Sequence, residues 1–179
     1  MKYFTKILFI LVLCSGIIIL AGCCKKDNSA QFKDKIDQYV KCWNTGNFDG
    51  IEELLTENFQ LFESPLFEPQ TGIDAFQKTV NGYRTAYPDF QLKFNELVFD
   101  EDKVAGIWTI TATNTGPGEK LPTGRQIKVT GMAVIHFEDG KIKDEWISGN
   151  DYHWLLQLGY TFLPPSTEEI IKQAKPDKE

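Results

Sequence analysis

From Phe90 to Ile147 nearly every segment reads as strand, and this run limits the fold more than any other feature of the chain. Leu92, Phe94, Leu97, Val98 and Phe99 form one strand, and Asp100 to Lys103 turns it back. From Val104 to Thr115 the residues alternate, so that Val104, Gly106, Trp108 and Ile110 share one face and Ala105, Ile107, Thr109 and Thr111 the other. A loop rich in Gly and Pro, Gly116 to Gly124, leads to a strand over Arg125–Glu138. Asp139-Gly140 is a two-residue hairpin signal ahead of a last strand, Lys141–Ile147. Successive strands joined this closely pair antiparallel.

The flanking segments read as helix. Over Ala30–Asn44, Phe32, Ile36, Val40 and Trp43 make one apolar stripe at helical spacing. A short helix follows at Asp49–Leu55, then an extended Phe59–Ser64 broken by Pro65 and Pro69. A third helix, Ile73–Ala86, buries Ile73, Phe76, Val80 and Tyr83, with Tyr87 just past its end, and Pro88 forbids its continuation. Asp151–Leu158 forms another, ended by Gly159, and Ser166–Lys175 a weak terminal one. Helices followed by a meander predict an α+β domain, with the N-terminal helices packed on a curved antiparallel sheet that forms a cone. The hollow of a cone is the default ligand site.

The N-terminus carries an address. Behind Lys2 and Lys6, the fourteen residues Ile7–Leu20 are apolar and close on Leu20-Ala21-Gly22-Cys23. That stretch is too short for a bilayer span of about 20 residues and fits a cleaved leader. The pattern resembles the lipobox of bacterial lipoproteins, which implies acylation of Cys23, attachment to a membrane through that lipid, and a domain held in the cell envelope outside the cytoplasm. The expected division is a signal peptide at 1–22, a lipidated tether at 23–29, a domain at 30–165 and a C-terminal helix and tail at 166–179.

The full chain carries 19 basic and 25 acidic residues, a net charge of −6, and loses two lysines with its leader. An acidic domain lacks the positive face that nucleic acid requires, so no nucleic-acid partner is expected. Once Cys14 leaves and Cys23 takes lipid, only Cys24 and Cys42 remain, and no disulfide is expected between them. Neither His136 nor His153 belongs to a cluster with metal-ligand spacing, so no metal site is expected.

A series of motifs points to a family. Trp43-Asn44 followed by Gly46 and Phe48-Asp49, Tyr87-Pro88-Asp89-Phe90, Trp108 to Gly116, Pro122-Thr123-Gly124-Arg125, Phe137 to Ile142, Glu145-Trp146 and Leu155 to Gly159 resemble, in order and spacing, the SnoaL-like polyketide cyclase (ester cyclase-like) family of nuclear transport factor 2-like fold. The resemblance implies cofactor-independent aldol chemistry, driven by an acidic residue four places after the tryptophan that is Trp146 here. That place holds Asn150, with Asp151 next to it. An amide is no proton acceptor, so catalysis is left open. Where the family often has histidine, this chain has Phe62 and Asn114.

The candidate site residues are Asp151 and His136, if the chain is catalytic, with Trp43, Tyr83, Tyr87, Trp108, Asn114 and Asn150 as pocket candidates. Asn150 also suits a helix N-cap, and Asp151 the first turn of a helix, where the dipole stabilises a carboxylate. Three readings follow: a tethered domain that binds a small, largely apolar molecule; a cyclase, isomerase or hydrolase acting on a carbonyl compound without a cofactor; or an interaction module whose sheet forms a homodimer.

Overall fold

The computed structural model describes residues 28–63, 68–118, 121–163 and 166. Helix α1 (Ser29–Thr45) is followed by α2 (Ile51–Leu54), β1 (Leu55–Phe62), β2 (Gln70–Thr71), α3 (Ile73–Ala86), β3 (Gln91–Phe99), β4 (Lys103–Thr113), β5 (Gln126–Glu138), β6 (Lys141–Ser148) and α4 (Asp151–Leu158). The six strands form one curved, unclosed sheet in the order β2-β1-β6-β5-β4-β3, with the helices on one face. The leader, residues 23–27 of the tether and most of the C-terminal tail expected from sequence lie outside the described residues, and Ser29, expected in the tether, opens α1.

The sheet is mixed, where sequence predicted an antiparallel one. Strands β3 to β6 form the expected meander, but β1 runs parallel to β6, pairing Leu61 with Glu145 and Phe62 with Trp146. The segment predicted as an extended connection is therefore a strand of the sheet, and it starts at Leu55, four residues early. Alternation explains why: Phe59 and Leu61 are buried while Gln60 and Phe62 are less so.

Each element uses its sequence as expected elsewhere. On α1 the buried set is Phe32, Ile36, Tyr39, Cys42 and Trp43, so the stripe runs one position round from Val40, and Cys42 is buried and unbridged. Asn44 docks this helix onto the edge strand β3: its Nδ2 donates to the Leu92 carbonyl at 2.9 Å and its Oδ1 accepts from the Leu92 N–H at 2.7 Å. Asp89 clamps the next strand, accepting from the Thr113 N–H and hydroxyl, both at 2.6 Å. Asp139 and Gly140, both at positive φ, make the tight hairpin turn between β5 and β6.

The core between helices and sheet is aromatic. Tyr39 stacks on Phe76 at 5.2 Å, and Trp43 lies against Phe76, Tyr83 and Phe90 at 5.7 to 5.8 Å. Trp108 closes over its cross-strand partner Gly131, where a Cβ would sit 2.2 Å from the indole. On the other face of the sheet, Val98, Ile107, Met132, Val134 and Trp146 are exposed. Among the described residues no helix is long and apolar enough to cross a membrane.

Candidate functional site

A bulge in β6 decides which side chains face the helices. Phe137 pairs with Ile142 and His136 with Asp144, so Lys143 is an extra residue on the β6 side. Were Lys143 to take a regular place in the alternation, Asp144 and Trp146 would share the inward face of buried Ile142. With it, Asp144 and Trp146 face out, and Glu145 faces the interior, 3% exposed.

Glu145 is held from above. The Tyr39 hydroxyl, on α1, donates to Glu145 Oε2 at 2.6 Å. Burial pushes the Glu145 carboxyl up to about 7; the Tyr39 hydrogen bond opposes that and the nearby Glu63 carboxylate adds to it. Burial and Glu145 in turn hold the Tyr39 hydroxyl well above the usual phenol range.

A second carboxyl continues the polar line. Glu63, just past β1, accepts from the Tyr83 hydroxyl at 3.0 Å through Oε1 and from Gln70 Nε2 at 2.6 Å through Oε2, and the Thr79 hydroxyl donates to Gln70 Oε1. Burial, then Glu63, then Asp151 push the Tyr83 hydroxyl up as well. Glu63, Gln70 and Tyr83 are half-buried, so the line from Glu145 reaches solvent at their end. Beside it, the Trp43 indole N–H is buried; it lies near enough to the Tyr39 hydroxyl to oppose that group's upward shift, but no hydrogen bond of good geometry forms among the described residues. Trp43 stands edge-on to Tyr39, ring centres 6.5 Å apart. The site thus holds two carboxyls, each accepting from a phenol hydroxyl, with the Trp43 N–H beside them within aromatic walls.

The candidates from sequence are distributed unevenly around it. Trp43 and Tyr83 border the line directly. Tyr87 is buried, its hydroxyl accepting from Trp154 Nε1 at 3.1 Å. Trp108 packs on Gly131 and Gly149. Asn114 is fully buried and works as a latch: its Oδ1 accepts from the Thr123 N–H at 2.9 Å and its Nδ2 donates to the Ala86 carbonyl at 3.5 Å, tying the loop after β4 to the end of α3. Asn150 caps α4, accepting the His153 N–H at 2.9 Å.

The two candidates for catalysis do not meet. Asp151 is exposed in the first turn of α4. His136 is on the outer face of the sheet, its Nδ1 2.5 Å from Asp144 Oδ1, and so cannot partner a group in the interior. Tyr39, Glu63 and Glu145 were not among the candidates. Tyr39 lies three residues after Ile36 and seven after Phe32, a helical spacing that could have found it. Glu145 could not be found by alternation, because the bulge reverses the parity. Among the described residues no group of three or more His, Cys, Asp or Glu could hold a metal ion.

With this geometry in view, the family model of the SnoaL-like polyketide cyclases matches residues 33–158, from the first turns of α1 to the end of α4. The chain belongs to the SnoaL-like polyketide cyclase family. No curated protein matches it. Solved structures that resemble it include TsrD from Streptomyces laurentii, with 21% identity, a TM-score of 0.65, and 73% of this chain and 96% of that one covered. AclR from Streptomyces galilaeus, a candidate hydroxylase, shares 25% identity at a TM-score of 0.63, covering 81% and 94%. A candidate SnoaL-like polyketide cyclase from Jannaschia sp. CCS1 shares 14% identity at a TM-score of 0.68, covering 79% and 100%. These likenesses establish the SnoaL-like domain's fold and leave its chemistry to its own residues.

Proposed function

We propose that this SnoaL-like domain binds a small, largely apolar molecule bearing a carbonyl group, taken up between helices and sheet past Glu63 and Tyr83. The observation that carries the reading is the polar line from Glu145 to Tyr83 in an interior otherwise built of aromatic rings. A buried carboxyl and an unpartnered N–H each cost stability, and a domain built only to pack would gain from apolar residues there. A ligand that accepts from Trp43 Nε1 offsets part of that cost. The expected result is a small molecule released on denaturing the natively purified protein, identified by mass spectrometry, and a raised melting temperature with apolar ketones. A protein that releases nothing and whose melting does not respond to such ketones would contradict the reading.

The domain is tethered, on this proposal, to a bacterial membrane at the cell envelope. The Leu20-Ala21-Gly22-Cys23 run supports it. Two or three acyl chains at about 0.8 kcal/mol per buried methylene make a permanent anchor. Labelling with a fatty-acid analogue should mark the chain and fail with Cys23→Ser, while substitution of Cys24 leaves it; label on the Cys23→Ser protein would sink the idea. An enzymatic reading of the same site is favoured by one further observation, the placement of Glu145.

A further inference from the structure

The outer face of the sheet, opposite the interior site, carries an apolar stripe that runs across the strands. One row joins Val98, Ala105, Val134, Trp146 and Phe62, each paired with the next in the register of the sheet. A second row, Glu96, Ile107, Met132 and Ser148, lies beside it. Polar rows bound the two on either side, Lys103, His136 and Asp144 on one and Asn95, Thr109 and Thr130 on the other. With strands about 4.8 Å apart, the stripe is about 19 Å long from β3 to β1 and two rows, about 7 Å, across. Phe62 stacks on Trp146 at 3.8 Å near one end, and Met132 is exposed at the centre. An apolar strip rimmed by polar residues marks an interaction site. Its outline, on the order of 200 Å² with side chains, suits one short helix about 10 Å in diameter. It is small beside the roughly 800 Å² per partner that a stable pairing of two copies buries.

The chain leaves α4 next to this stripe. Gly159 takes a left-handed turn, the Tyr160 N–H donates to the Leu155 carbonyl, and Phe162 lies back against Tyr152 in the first turn of α4, ring centres 4.9 Å apart. Tyr152 follows Ser148, the β6 end of the second row, by four residues. Leu163, next in the chain, is 86% exposed, and Pro164-Pro165 leads on to Ser166–Lys175, the terminal helix expected from sequence. Ser166 and Glu169 stand at the spacing of a capping box, and on such a helix Ile170, Ile171 and Ala174 share one face. We infer that this segment, Thr167–Lys175, docks on its own domain across the stripe, from β6 over β5 and β4 to β3, with Ile170 and Ile171 on Met132 and Ile107. The lengths agree: ten helical residues span about 15 Å, and three inter-strand spacings about 14 Å. Charge agrees as well. Glu96, at the β3 end, is the one charged residue lining the groove, and Lys172 and Lys175 fall in the last turn of the helix. The inference concerns the face opposite the interior site and does not depend on what that site binds.

Met132 reads the cover directly, because Met1 is the only other methionine in the sequence. The full chain, held in lipid nanodiscs at one chain per disc, is treated with hydrogen peroxide, and peptide mass spectrometry follows sulfoxide formation at Met132. A chain stopped after Ser166 should oxidise at Met132 about threefold faster than the full one, a docking preference of roughly 0.7 kcal/mol. Ile170→Asp together with Ile171→Asp in the full chain should do the same. Cys42, buried in the core, reports the fold and should resist a thiol reagent equally in all three chains. If the shortened chain exposes Cys42, the chain with both isoleucines replaced decides. Equal rates in the full and altered chains overturn the inference: slow oxidation in all of them means that the bilayer or a second copy covers the stripe, and fast oxidation in all of them that nothing does.

Discussion

Asp144 and Glu145 are neighbours in sequence and sit on opposite faces of one strand, and the two faces treat a carboxylate differently. Asp144 lies with His136 on the outer face, beside Val134, Met132, Ile107 and Trp146, which line a surface groove of about 490 Å³ with Glu96 and Ser148. Polar groups here pair with one another on a face open to water, as in the row from Asn95 through Thr109 to Thr130. Glu145, one residue on, has traded water for a phenol and aromatic walls. Water screens one acid and its absence activates the other, so side-chain type says less about chemistry in this fold than the face on which it lands.

Several substitutions would break or sharpen that contrast. The largest effect is expected on the inner face from Trp43→Ala, which should cost about 3 to 5 kcal/mol in urea unfolding; a loss below about 1 kcal/mol would mean the aromatic core is not where stability resides. Next comes the pH dependence of Glu145. Its folded-state value, about 7, lies above the ordinary 4.5. The folded state therefore binds the extra proton between those values, and the contribution of Glu145 to stability is fully present below about 4.5 and is lost as pH rises through about 7. The loss is on the order of 3 kcal/mol, and unfolding of Glu145→Gln across the same range should lack it. A parallel pH profile for the two proteins would place Glu145 in water after all.

Gly131→Val should cost about 1 to 3 kcal/mol, since the indole of Trp108 occupies the space a side chain needs; thermal unfolding reads it, and an unchanged melting temperature would deny the close approach. Asn150→Ala should cost about 1 kcal/mol as a lost helix cap, without altering ketone binding. The smallest effect belongs to the outer face, where Met132→Lys at a residue 60% exposed should leave stability within about 0.5 kcal/mol. A large loss of stability there would erase the distinction between the faces.

Much of the architecture was legible because punctuation marks it. Pro88 and Gly159 end α3 and α4 where predicted, and Asp139-Gly140 turns the hairpin. Alternation in β4 put Val104 and Trp108 on one face, and that face is the buried one. The parallel place of β1 was not legible, because pairing with β6 joins residues some eighty positions apart and leaves no local trace. The site was read less well for a related reason. His136 was a candidate because its face could not be chosen, and Asn114 because a buried polar residue resembles a ligand contact until its backbone partners are seen. Glu145 was hidden by an irregularity of one residue.

That irregularity makes the interior sensitive to a kind of change that point substitution does not sample. Inserting one codon after Lys143, with the bulge kept, would rotate everything after it by half a pleat, sending an indole toward the helices and a carboxylate toward water while nearly every residue kept its identity. Deleting Ser148 would then compensate downstream and leave only Asp144 to Ile147 inverted. A library of single-codon deletions and insertions along β6 would therefore explore different interior chemistries on one scaffold, in steps that a library of replacements would miss.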